Sequence, residues 1–351
     1  MKKSLLALAV LGAFSGTAMG QTGVTLYGRV DAGIGVADSD TPGGDETAML
    51  WSGVQSATRI GIRGTEDLGS GLQVTFNIEA GIEVDTGELS NPTRMWARRA
   101  VVGLAGAFGE INVGRDYTPG YRSIGTTDVM DLGLFGNWKV FSSNGGITTR
   151  ASNGLHYVSP EWSGLTLRAM YAAGEADDVS RPSGDGDMYG LSGVYENGRL
   201  TAQAYYQSRK FDNGLNDTDR VDEYGAGAQY RFGAYRVALG YGMADTGLPG
   251  GGSVKHDAWS IGLDARLGVG EVLFNYVAQE VDLAGDPKAT SFGIAYVHPV
   301  SKHTNFYVSY GRLDNDRGAD FTLRASASRT AVGGTVNAEP KAFAIGILHH
   351  F

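Results

Sequence analysis

The stretch Val24-Thr25-Leu26-Tyr27-Gly28-Arg29-Val30-Asp31-Ala32-Gly33-Ile34 decides how the rest of the chain is read. Its alternate positions differ in kind. Val24, Leu26, Gly28, Val30, Ala32 and Ile34 suit an apolar surface; Thr25, Tyr27, Arg29, Asp31 and Gly33 suit a polar one. Side chains switch faces residue by residue only in a strand, so this is a β-strand with one apolar and one polar side. The pattern recurs. Leu72, Val74, Phe76, Ile78 and Ala80 alternate with Gln73, Thr75, Asn77 and Glu79. Phe343, Ile345, Ile347, His349 and Phe351 alternate with Ala344, Gly346, Leu348 and His350. No amphipathic helix of comparable quality appears.

Outward from these stretches, sixteen segments carry the strand period. They lie near 23–36, 57–66, 71–83, 94–105, 109–116, 150–158, 164–174, 187–196, 199–209, 222–232, 234–243, 256–267, 270–281, 289–298, 302–313 and 341–351. Their lengths, roughly nine to thirteen residues, match a tilted membrane-spanning strand. The connections alternate. Tight ones such as Asp67-Leu68-Gly69-Ser70, Asn197-Gly198 and Gly268-Val269 alternate with long ones at 37–56, 117–149 and 314–340. Outer-membrane barrels sort short turns to the periplasm and long loops to the outside. A secreted soluble β-sandwich, the main rival architecture, has no reason to do so. A lumen ringed by sixteen strands is too wide for side chains to fill, so the polar set faces water and the apolar set faces lipid. Tyr27, Trp96, Tyr157, Tyr171, Tyr195, Tyr230, Tyr241, Tyr296 and Phe351 stand near strand ends, where an interface girdle is expected.

Composition agrees. The 351 residues include 54 Gly, no Cys, 29 basic and 38 acidic side chains, for a net charge of −9. A chain this acidic is not built for nucleic acid. Without Cys there is no disulfide frame or thiolate metal site. Mean hydropathy is −0.16, and no run is long and apolar enough for a spanning helix; alternation hides a barrel from such averages. Gly225, Gly227, Gly240, Gly242, Gly262 and Gly293 fall inside strands, which suits a curved, closely packed sheet. Lys2-Lys3, the apolar Leu5 to Phe14, and Ala18-Met19-Gly20 form an export leader. This divides the chain into a signal peptide, 1–20, and a single barrel domain, 21–351.

Four motifs carry a family resemblance. They are Val24 to Asp31; Ser56-Ala57-Thr58-Arg59-Ile60-Gly61-Ile62-Arg63-Gly64-Thr65-Glu66-Asp67-Leu68-Gly69; Arg98-Arg99-Ala100-Val101-Val102-Gly103-Leu104; and Gly109-Glu110-Ile111-Asn112-Val113-Gly114-Arg115. With Phe351 they make the chain similar to a Gram-negative general porin of the β-proteobacterial type. The resemblance spans the whole exported chain. It implies an all-β fold: a 16-stranded antiparallel transmembrane β-barrel in the bacterial outer membrane. Its third extracellular loop, matching 117–149, folds into the lumen. It also implies a homotrimer among outer-membrane lipids and lipopolysaccharide, without cofactor. Small hydrophilic solutes and inorganic ions would pass passively. Phe351 would be read by the outer-membrane assembly machinery.

The chemistry of such a pore is a field set up by charged side chains at its narrowest point. Alternation puts Arg59 and Arg63 in the lumen, because Ile60 and Ile62 take the lipid face. It does the same for Glu79 and Arg150. Arg98 and Arg99 cannot both point inward in a regular strand; the family pattern selects Arg98. The resemblance implies a basic wall of Arg59, Arg98 and Arg150 with Glu79 beside it, opposed by Asp128 or Asp131. Arg29, Asp31 and Arg63 are further lumen charges. Guanidinium groups stay charged at any working pH, so a weak anion preference is expected. Many of the acids, among them Asp38, Asp40, Asp45, Glu46, Asp177, Asp178, Asp217 and Asp219, belong to extracellular loops, and salt screens them within about 8 Å.

Catalysis finds no support. The six His form no HExxH motif and no visible triad, and His349 and His350 point opposite ways. Asp314-Asn315-Asp316 and Asp185-Gly186-Asp187 are short acidic runs without a calcium-loop spacing, so no metal is expected. A substrate-specific channel would want an aromatic track along the lumen, which the pattern does not display.

Overall fold

The computed structural model describes residues 23–43, 46–174, 186–211, 219–248, 251–333 and 335–351. The expected leader, 1–20, and Asp45, Asp177, Asp178, Asp185 and Asp217 lie outside them. Strands dominate: β1 (Gly23–Asp38), β2 (Thr47–Ser52), β3 (Arg59–Gly69), β4 (Leu72–Gly81), β5 (Arg99–Gly106), β6 (Gly109–Tyr117), β7 (Arg150–Val158), β8 (Leu165–Ala172) and β9 (Met188–Asn197). There follow β10 (Leu200–Lys210), β11 (Arg220–Phe232), β12 (Tyr235–Gly247), β13 (Ser253–Leu267), β14 (Gly270–Val281), β15 (Lys288–Pro299), β16 (Thr304–Asp316) and β17 (Lys341–His350). From β3 onward each strand pairs antiparallel with the next, and β17 pairs with β1 from Arg29↔His350 to Asp38↔Lys341. The ladder closes into a 16-strand antiparallel barrel. Closure removes every open edge, as the bilayer interior requires.

The seventeenth strand arises because one barrel strand is split. The lower half of β1 pairs with β3, Arg29 facing Arg59, and its upper half with β2, Ala32 facing Ser52. Residues 53–58 lie between and leave the wall. Alternation alone placed this region in the first loop and at the start of a strand. The bend's backbone is satisfied differently. Gly53 N donates to Asp31 O at 2.9 Å, and Asp31 N donates to Thr58 Oγ1 at 3.0 Å. Leu134 N and Ser326 N both donate to Val54 O. The bend therefore reaches inward to two loops.

The outer wall is apolar, with Val24, Leu26, Ile34, Val102, Val113, Leu155, Leu191, Leu239 and Ile345 exposed. Tyr171, Tyr230, Tyr241 and Tyr296 join them. Tyr27 does not belong to this girdle: its hydroxyl donates to Asn77 Oδ1 at 2.9 Å and Glu79 Oε2 at 3.2 Å inside the lumen. Its place in the polar half of the β1 alternation decides this, not its nearness to a strand end.

The inner face of β12 to β17 is not uniformly polar. Ala238, Ala258, Val277, Ala289, Ala295, Leu313, Ala342 and Ala344 are buried there. They face the inward loop, residues 118–149, and the last loop, residues 317–340: Ala258 and Val277 share a core with Trp138 and Phe141, the others with Val129, Leu134, Phe135, Val140, Phe321 and Leu323. Strand glycines make the seats. A Cβ on Gly293 would stand 1.9 Å from Phe135 O, and one on Gly240 2.6 Å from the Trp138 ring. Gly136 (φ +81) lies against Gly293 in turn. Burying side chains of this size stabilises by about 1.5–3 kcal/mol each.

Candidate functional site: the lumen constriction

The inward loop opens with helix α1 (Pro119–Gly125). Thr118 caps it, accepting from Tyr121 N at 3.2 Å, and Pro119 occupies its first turn, where no amide donor is needed. Inward polar side chains tie the loop to the wall. Gln207 accepts from Gly120 N at 3.0 Å, and Glu223 accepts from Thr148 N at 2.7 Å and Thr148 Oγ1 at 2.6 Å. Asn275 donates to Gly136 O at 2.9 Å, and Ser309 accepts from Phe135 N at 3.0 Å. A loop fixed at both ends and in the middle can hold charges in place.

Between this loop, the 53–58 bend and the last loop lies an open space of about 410 Å³. Arg29, Arg59, Arg98, Arg115, Lys139, Arg150 and Arg324 line it, against the carboxylates of Glu83 and Asp131. Seven basic side chains therefore face two lining acids among the described residues. Burial raises the Glu83 carboxyl above its ordinary range.

The basic wall is internally ordered. Arg98 Nε donates to Glu79 Oε1 at 2.6 Å, and Arg59 Nη1 stands 3.6 Å from the same oxygen. The Tyr117 hydroxyl accepts from Arg98 Nη2 at 2.7 Å and Arg150 Nη2 at 2.6 Å, and the Arg150 guanidinium lies 4.2 Å from the Tyr117 ring centroid. One carboxylate and one phenol thus hold three like charges together. Arg29 joins through Ser56, to whose hydroxyl its Nη1 donates at 2.7 Å.

The expected residues can be placed one by one. Arg59, Arg98, Arg150 and Glu79 come together, with Arg29 adjoining. Arg63 lies lower, lining a separate recess with Thr25, Thr75 and Asn77. Asp131 is exposed to the lumen, and the cations acting on it most are Arg29, Arg236, Arg59 and Lys139. Asp128 is not a lumen charge. It is 3% exposed and accepts from Met130 N, Leu132 N and Trp138 N at 3.0–3.2 Å, so it folds the loop instead. Burial pushes its carboxyl up to about 6 despite those donors. Asp31 faces inward but is buried beneath the 53–58 bend. Arg98 and Arg99 both point inward, against the alternation rule. Arg98 precedes β5, where strand geometry does not apply, and Arg99 reaches Asp116 at 3.0 Å. Phe351 is half exposed, and its backbone exchanges two hydrogen bonds with Gly28. At Asp314-Asn315-Asp316, Asp314 binds Arg312 and Asn315 holds the last loop through Phe321 and Ala338.

Tyr117, Lys139, Arg115 and Arg324 were not among the expected constriction residues. Tyr117 and Arg115 had a usable signal, standing at the entry to the long loop. Arg324 had none, because the inward path of the last loop leaves no trace in strand periodicity.

The sequence model of a family described as Gram-negative porin matches residues 7–318. The chain belongs to that family. This porin is 34% identical to outer membrane porin protein 32 of Delftia acidovorans, over all of both chains. Among solved structures it is similar to an anion-selective porin from Comamonas acidovorans, with a TM-score of 0.80 and 29% identity. That match covers 94% of this chain and 100% of the other. It shares the fold of OmpT of Vibrio cholerae, solved in a trimer form, with a TM-score of 0.69, 16% identity, and coverage of 94% and 99%. The protein is an outer-membrane porin of the Gram-negative type.

Proposed function

We propose that this porin is a water-filled channel through which small hydrophilic solutes and ions diffuse passively, with a weak preference for anions. The observation that carries the reading is the charge balance of the constriction, seven basic side chains to the three carboxylates of Glu79, Glu83 and Asp131. Arg59, Arg98 and Arg150 form the selecting wall, Glu79 spaces them, and Arg29, Lys139 and Arg324 extend the positive field. Asp131 moderates it, and Arg63 continues it toward the periplasm. A permeating anion gains attraction without a tight site, because the guanidinium groups already have partners. Tight binding would slow exit. No bond is made or broken in this work, so the protein is not an enzyme. The anion-selective name of the Comamonas relative supports the sign of the preference.

The same reading takes the mature protein as 21–351 after removal of a signal peptide. It takes the working assembly as a homotrimer, in keeping with the trimer form of the Vibrio porin. Lipopolysaccharide contacts the outer wall, and Phe351 serves as the assembly signal. Purified protein in a planar bilayer under a salt gradient tests the channel. We expect conductance steps in groups of three and an anion-signed reversal potential. Arg98→Ala should move that potential toward zero. A cation-signed potential in the wild type would discard the arginine wall, and absence of steps from folded protein would discard the channel.

A further inference from the structure

Tyr307 of β16 is 1% exposed, and its hydroxyl donates to Oδ1 of Asp31 at 2.6 Å. The bond crosses the closing seam of the barrel, from β16 past β17 to β1. Two glycines clear its path. A Cβ on Gly346 would stand 2.1 Å from the Tyr307 oxygen, and one on Gly33 2.7 Å from it. Neither glycine has a positive φ, so turn geometry does not explain them; the phenol does. Asp31 is fully buried, and its Oδ2 accepts from Ser56 N at 2.5 Å. Ser56 Oγ in turn accepts from Arg29 Nη1 at 2.7 Å and Arg59 Nη2 at 3.3 Å. A continuous line of hydrogen bonds thus runs from the barrel wall to two constriction guanidinium groups.

The seam does not need this line to close. β17 and β1 already share a ladder from Arg29↔His350 to Asp38↔Lys341. What lacks a sheet partner is the 53–58 bend, and the line ends there. Two like charges on one hydroxyl repel and would separate if that hydroxyl moved. We propose that Tyr307 and Asp31 are positioning residues for ion selectivity: they pin the bend so that Ser56 holds Arg29 and Arg59 side by side in the constriction. This rests on reading the constriction as an anion filter.

Bilayer recordings test it on wild type, Tyr307→Phe, Ser56→Ala, the Arg29→Gln/Arg59→Gln pair, and that pair combined with Tyr307→Phe. Tyr307→Phe should lower the anion-to-cation permeability ratio about four- to tenfold, the scale for a charge ~4 Å from a passing ion retreating one or two ångströms at an effective dielectric near 20. Ser56→Ala should lower it in the same direction. In the double-Gln background Tyr307→Phe should change nothing further, which a role confined to barrel stability would not predict. Unchanged ratios in both single variants overturn the proposal, as does an equal drop in the double-Gln background. If Tyr307→Phe fails to fold, Ser56→Ala decides, and an unchanged ratio there overturns it. The wild-type ratio tests the filter. The difference between variant and wild type tests the positioning, whichever side of unity the wild type starts.

Discussion

Lys139 stands on the inward loop among Arg98, Arg150, Arg59 and Arg324, and its ammonium donates to Ser326 O. Burial first, and then those four guanidinium groups, hold its pKa well below the usual lysine range. A lowered lysine is charged at low pH and neutral once pH rises through its folded value. Anion preference should therefore fall with rising pH within the range below the ordinary lysine value of about 10.4. Reversal potentials recorded across that range check this, and Lys139→Arg should flatten the curve. Other residues of the site were readable in advance to different degrees. Arg59 and Arg150 follow from alternation, since an arginine on the lipid face at the midplane costs about 2–4 kcal/mol. Arg98 escaped the rule because it stands one residue before β5. Asp128 and Asp131 could not be told apart, because three loop amides converge on one carboxylate only after the loop has folded.

The inward loop is held by absence of side chains as much as by their presence. Gly293 sits opposite Phe135 with no room for a methyl group. Gly293→Ala should push the loop off the wall and further into the lumen. We expect lower single-channel conductance and a loss of about 1–3 kcal/mol, the usual cost of overpacking. Conductance steps and thermal unfolding followed by circular dichroism measure the two effects. Length marked 117–149 as a long connection, the family resemblance placed it in the lumen, and alternation marked most strands. The break at 53–58 was invisible, because alternation left β2 inside the 37–56 connection and began the next strand at 57. The inner face of β12 to β17 misled for a different reason. Small apolar residues on a lumen face signal a packed loop, and a reading that opposes lipid to water has no category for it.

At the scale of the molecule, fixed cations face the constriction while many acids stand in the loops outside. Their reach depends on salt. The screening length is about 30 Å at 0.01 M and about 3 Å at 1 M. Anion preference should shrink severalfold from physiological salt toward the molar range; reversal potentials over a salt series read this directly. A ratio constant across the series would mean that something other than the arginine field selects ions. Barrel architecture was the most legible property, since strand period and loop-length alternation both report it. The closing seam carries a further consequence. Because β1 finds its second neighbour only in β17, the wall has two raw edges until the final strand is seated. An unfinished chain is then a sheet with unpaired edges rather than a partial hole. Permeability arrives all at once, with the last strand, and a cell that inserts this protein has little to fear from its half-built copies.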